Sequence, residues 1–107
     1  MGFEVFDARV SSRAHGRLAV VTSPRNNVLR LSAGLHRALG TDRAQLLWDA
    51  EAKRLAVRAA TVEDVNSFPI GARTHAIGCA AFLRHIGEAG DDRVWAIRRE
   101  GDLWMSE

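Results

Sequence analysis

The chain has 107 residues, 47% hydrophobic and 26% charged, which describes a single folded domain over 1–107 and excludes a disordered or fibrous chain. No apolar run approaches the roughly 20 residues that span a bilayer, and one cysteine, Cys79, excludes an internal disulfide. The net charge of +2 conceals an asymmetry: residues 1–60 carry ten Lys/Arg against five Asp/Glu, and residues 61–107 carry five against eight.

Met1 to Asp7 lacks the basic start and apolar core of a secretion signal, so a reducing cytoplasm is the expected location. Residues 3–10, with Phe3, Val5, Phe6, Ala8 and Val10, read as an extra opening strand, followed by a polar turn ending at Gly16. Leu18, Val20 and the β-branched run Ala19-Val20-Val21-Thr22 read as a second strand, expected to be buried on both faces. Ser23-Pro24-Arg25-Asn26-Asn27 is a turn, because proline fixes φ and asparagine tolerates a left-handed backbone. Val28, Leu29 and Leu31 form a short strand. Ser32 then caps a helix whose Leu35 and Leu39 make one apolar stripe, with His36 and Arg37 turned outward and Gly40 closing it. Leu46 to Trp48, a polar turn from Asp49 to Lys53, and Leu55 with Val57 make a β-hairpin.

Thr61 to Ser67 is a connector, read as one helical turn. Phe68 and Ile70 flank Pro69, which confines that segment to a sheet edge or bulge. Gly71 to Thr74 is a second turn, His75 to Ile77 a short strand, and Cys79 to Ile86 a helix. Glu88 to Asp92 is an acidic loop. Val94, Trp95 and Ile97 then turn through Arg99 to Asp102 and return as Leu103 to Met105.

The unit strand, short helix, hairpin therefore occurs twice, over about 18–60 and about 66–106. Leu35 matches Phe82, Arg37 matches Arg84, Leu39 matches Ile86, Gly40 matches Gly87 and Trp48 matches Trp95, all at one offset. A lone unit of this size cannot bury its apolar face and needs the other copy. The expected fold is α+β but mainly β, with two short helices. Two interlocked units with pseudo-twofold symmetry close into a small β-barrel, which also removes sheet edges.

This pattern resembles the AbrB-type swapped-hairpin family of DNA-binding proteins, which includes the two-repeat MraZ proteins. The resemblance rests on Leu35-His36-Arg37-Ala38-Leu39-Gly40 followed by Leu46-Leu47-Trp48-Asp49 and Leu55-Ala56-Val57, and on Phe82-Leu83-Arg84-His85-Ile86-Gly87. Asn27-Val28 and Thr74-His75 stand where the family has Gly-Arg, and Ser32 and Cys79 where a proline usually precedes the helix. The resemblance implies that the two units exchange hairpins, so that one chain imitates a dimer. It also implies DNA contact near the turns before the short strands, at Arg25, Asn26 and Asn27 in the first unit and Arg73 and Thr74 in the second.

Charge points the same way. No acid lies between Asp7 and Asp42, while Arg9, Arg13, Arg17, Arg25, Arg30 and Arg37 all do. Such a stretch is the footprint of polyanion contact, with Arg13, Arg17, Arg25 and Arg30 placed to follow phosphates. The expected partner is DNA, duplex rather than single-stranded, and the expected role is that of a transcriptional regulator or phage-type accessory factor. A module that docks an acidic protein on the same face, or that self-assembles, is the alternative. The chain is then a monomeric pseudo-dimer or a homodimer. Turn propensity alone already accounts for Asn26 and Asn27, and Trp48, Trp95 and Trp104 read as packing residues. His15, His36, His75 and His85 show no zinc spacing, and Cys79 has no base beside it in sequence. The sequence therefore implies no metal, no cofactor and no catalytic residue.

Overall fold

A computed structural model describes residues 17–107; the strand expected over residues 3–10, and Arg13, lie outside the described residues. The chain runs through β1 (Ala19–Ser23), a single 3-10 turn (Pro24–Asn26), β2 (Val28–Leu31), α1 (Ala33–Leu39), β3 (Arg43–Asp49) and β4 (Arg54–Ala59). It continues through β5 (Phe68–Pro69), β6 (Ala76–Gly78), α2 (Ala80–His85), β7 (Arg93–Glu100) and β8 (Leu103–Ser106). Strand, helix and hairpin occur in that order twice. No helix among the described residues is long and apolar enough to cross a membrane.

The strands form one antiparallel sheet in the order β5-β3-β4-β8-β7-β1-β2-β6. Its two edges approach through the tight turn between them, where the Gly71 N–H donates to the Ala76 carbonyl at 2.9 Å and the His75 N–H to the Gly71 carbonyl at 2.9 Å. The result is a nearly closed eight-stranded barrel. Pro69, which has no N–H to give a ladder, sits on the edge strand β5 as its chemistry requires.

The pairing is reciprocal. β7 of the second hairpin pairs with β1, and β3 of the first hairpin pairs with β5, so each hairpin lies against the opening strand of the other unit. The remaining contacts between units are β2 on β6, with Leu29 opposite Ile77, and β4 on β8, with Val57 opposite Trp104. Val57 and Trp104 are separated in sequence by the same interval as Leu35 and Phe82. Exchanging β1 to β4 for β5 to β8 reproduces the same circular order of neighbours.

The inward faces follow from period-two alternation along the strands. Val20, Leu29, Leu55, Val57 and Ile77 are fully buried, and Leu35 of α1 and Leu83 of α2 plug the barrel between the strands. Each such side chain contributes about 1.5–3 kcal/mol of transfer free energy. The tryptophans of the two hairpins meet inside: Trp48 and Trp95 pack edge to face with ring centres 6.3 Å apart and planes at 89°, geometry that adds about 0.5–1.5 kcal/mol beyond area. The buried Trp95 indole N–H donates to the Thr22 hydroxyl at 3.0 Å, and that hydroxyl donates to Glu88 at 2.9 Å.

Three local expectations change. Strand β1 is buried on one face only, with Val20 and Thr22 inward and Val21 half-buried, because no layer covers the outside of the barrel there. The connector is not helical; Asp64 pins it as turns by accepting from the Thr61 N–H at 2.8 Å while its carbonyl takes the Ser67 hydroxyl at 2.6 Å. His36 faces inward with Leu35 and Leu39 rather than outward.

The Ser32 cap is as expected and does two jobs. Its hydroxyl accepts from the Leu35 N–H at 3.3 Å, one of the donors a helix start leaves unpaired, and from the Ala19 N–H of β1 at 3.1 Å. Ser32→Ala is expected to lower unfolding free energy by about 1–2 kcal/mol in urea titration, whereas Ser32→Asp keeps an acceptor and loses less.

Candidate nucleic-acid interface

The first turn is built by local chemistry. Pro24 starts the 3-10 turn, and Asn27 ends it at φ 57°, the left-handed region that asparagine tolerates. Its N–H donates to the Pro24 carbonyl at 3.2 Å, and the Asn26 side chain donates to the Ser23 hydroxyl at 2.9 Å. Asn26 is thus occupied within the turn. The Asn27 carbonyl accepts from the Cys79 N–H at 3.0 Å, tying this turn to the start of α2.

Arg25 projects from the turn with its side chain 73% exposed and meets Asp91 at 3.1 Å. Arg30, on the outer face of β2, lies 3.7 Å from Asp92, both about half exposed. The acidic loop before β7 therefore sits beside the first turn, and the opposite charges of the two halves of the sequence meet within one chain. Ion pairs this exposed contribute about 0–1 kcal/mol and are screened by salt. Arg17, just ahead of β1, is exposed and pairs with no carboxylate among the described residues.

The second turn repeats the first in backbone terms. His75 stands at φ 56°, and its carbonyl accepts from the Leu31 N–H at 2.9 Å, as the Asn27 carbonyl accepts from Cys79. A Cβ added at Gly71 would run into the Thr74 hydroxyl, so a larger residue there would oblige the Thr74 side chain to move. Arg73 is exposed in this turn and pairs with no carboxylate among the described residues. Arg73 follows Arg25 by the same interval that separates His75 from Asn27, and Arg37 of α1 corresponds to Arg84 of α2. All four guanidinium groups are exposed. Because β2 and β6 run antiparallel, each turn lies beside the start of the other unit's helix. The turns are separated by about 14 Å, four residues of strand.

Beside the second turn is an open cleft of about 430 Å³ lined by His36, Arg37, Thr41, Asp42 and His75. Nδ1 of His36 lies 2.6 Å from Nδ1 of His75, and Nε2 of His36 lies 3.0 Å from an Asp42 carboxylate oxygen. Sequence reading missed this cluster. A histidine between Leu35 and Arg37 looks solvent-facing on a helical wheel, and the partner that covers it lies 39 positions away. Among the described residues no group of three or more His, Cys, Asp or Glu is placed to hold a metal ion.

The tryptophans are packing residues. Trp95 is buried, Trp48 is packed on it, and Trp104 is partly buried against the core with the Arg99 guanidinium 5.2 Å from its ring centre. Cys79 is buried at the start of α2, and burial pushes its thiol up to about 11. A thiol raised in the folded state holds its proton more tightly than the unfolded chain does. Stability is therefore unaffected below pH about 9 and falls as pH climbs toward 11. Alkylation of native protein by iodoacetamide at pH 8 is expected to run at least about tenfold slower than in urea-unfolded protein; equal rates would contradict this burial.

Compared with known family models, curated proteins and solved structures, the chain finds no match.

Proposed function

We propose that this chain is a DNA-binding protein of the swapped-hairpin, AbrB-like type, in which two divergent repeats let one polypeptide imitate a dimer. The observation that carries this reading is the pairing of exposed arginines: Arg25 with Arg73 in equivalent turns, and Arg37 with Arg84 in equivalent helices. A duplex backbone is itself two-fold related strand to strand, and two matched sets of guanidinium forks suit its phosphates. The sheet order that survives exchange of the two units supports the internal duplication. The Asp91 and Asp92 pairs do not oppose phosphate contact, since exposed ion pairs exchange readily for a phosphate partner. Arg17 and Arg30 extend the same contact along the backbone. Specificity is low unless further groups reach base edges, because phosphate contacts position rather than specify. The role is regulation of transcription, or that of a phage-type accessory factor, in the cytoplasm and without catalysis.

The test is binding to a duplex oligonucleotide across a salt series. Affinity is expected to fall steeply with salt, and Arg25→Ala with Arg73→Ala to flatten the slope of log K against log salt by about 1.8, near 0.9 per lost phosphate contact. No binding at low salt, or a slope unchanged by the double substitution, would remove the proposal.

One observation favours a protein partner as a second reading. Val62 and Val65 of the connector are 80% and 93% exposed, and Val65 lines a groove with Leu46, Phe68 and Phe82. If this surface self-associates, sedimentation equilibrium gives a dimer in wild type and a monomer in Val65→Asp; a monomer in both discards the reading.

A further inference from the structure

We infer that His36 and His75 form a clasp between the two units, closed by a single bridging proton and opened when both rings become charged. His36 belongs to α1 of the first unit and His75 ends the turn before β6 of the second. Their ring centres lie 4.9 Å apart with planes at 85°, and the Nδ1 atoms 2.6 Å apart. The centre-to-centre distance equals the contact plus one ring radius on each side, so both nitrogens lie on the line joining the rings. Two lone pairs cannot face each other this way, nor can two N–H groups. One proton must lie between them, in a short and nearly linear hydrogen bond.

Asp42 decides which ring supplies it. A carboxylate only accepts, so Nε2 of His36, 3.0 Å away, carries a proton. In the neutral pair Nδ1 of His36 is then the acceptor, and the Nδ1–H of His75 donates. A first added proton leaves the contact intact, because one of the two facing nitrogens still has a lone pair. A second proton leaves none, and the rings must separate. The charged groups that line the cleft around the pair are Asp42 and Arg37. The left-handed φ of 56° at His75 fits the same picture. The backbone bonds of His75, its N–H to the Gly71 carbonyl and its carbonyl to the Leu31 N–H, hold that conformation and so fix where its ring starts. The clasp stands independently of any nucleic-acid partner.

The second copy of each position supplies the control. Leu83 occupies in α2 the place of His36 in α1, and Asn27 occupies in the first turn the place of His75. His36→Leu and His75→Asn therefore keep apolar packing and left-handed tolerance respectively. The experiment is the Tm of wild type and both variants from pH about 7.5 to about 4.5, the range over which imidazoles become charged, with nitrogen–nitrogen coupling across the bond measured by NMR in wild type at the upper pH. The expected result is a measurable coupling and a wild-type Tm that falls by about 5 °C more than that of either variant. Equal falls in all three proteins, or no coupling, would overturn the clasp. A rise in wild-type Tm on adding Ni²⁺ or Zn²⁺ at pH 7.5, absent from His75→Asn, would also overturn it by showing that a metal rather than a proton bridges the rings.

Discussion

Backbone pairing between the two units is the constraint on which this structure depends. Neither strand–helix–hairpin unit has a sheet that could close alone: β2 finds its second neighbour in β6, β3 in β5, β4 in β8 and β7 in β1. Each pairing satisfies a row of N–H and C=O groups that would otherwise form an exposed edge. Leu29 on Ile77 and Val57 on Trp104 then place inward side chains from both units in one core. Long-range ladders of this kind are slow to form, since loop closure precedes the contacts that offset its entropy.

The same reciprocity shapes the surface. Each turn that precedes a short strand hands its last carbonyl to the other unit, Asn27 to Cys79 and His75 to Leu31. Those bonds hold both turns in left-handed geometry and set each arginine-bearing turn beside the opposite helix. The two units nevertheless differ in charge. The first turn faces Asp91 and Asp92, while the second borders a cleft containing a carboxylate, two imidazoles and Arg37. The framework thus presents two faces of different chemistry, and among the described residues Arg73 of the second turn pairs with no carboxylate while Arg25 of the first pairs with Asp91.

The polar interior is small and fully satisfied among the described residues. Trp95, Thr22 and Glu88 form one chain of donors and acceptors, and Ser106 takes the Leu55 N–H at 3.0 Å. Both link a hairpin strand to the neighbouring unit or terminus. Polar groups buried in this way specify register, because a one-residue slip would leave each without its partner.

The order of strands, helices and hairpins was legible from local pattern. Proline and asparagine declared the first turn, Ser32 and Gly40 bounded α1, and the tryptophan-bearing hairpins recurred at one spacing, since these signals act within a few residues. The strand over residues 3–10 and Arg13 lie outside the described residues. What tertiary structure alone decided is which distant residues share a place. Arg25 and Arg30 met Asp91 and Asp92 because β1 pairs with β7, which swings the loop ahead of β7 over the first turn. His36 turned inward because the turn ending at His75 closes over α1. Periodicity describes one element's own faces, and only the fold determines what arrives to cover them.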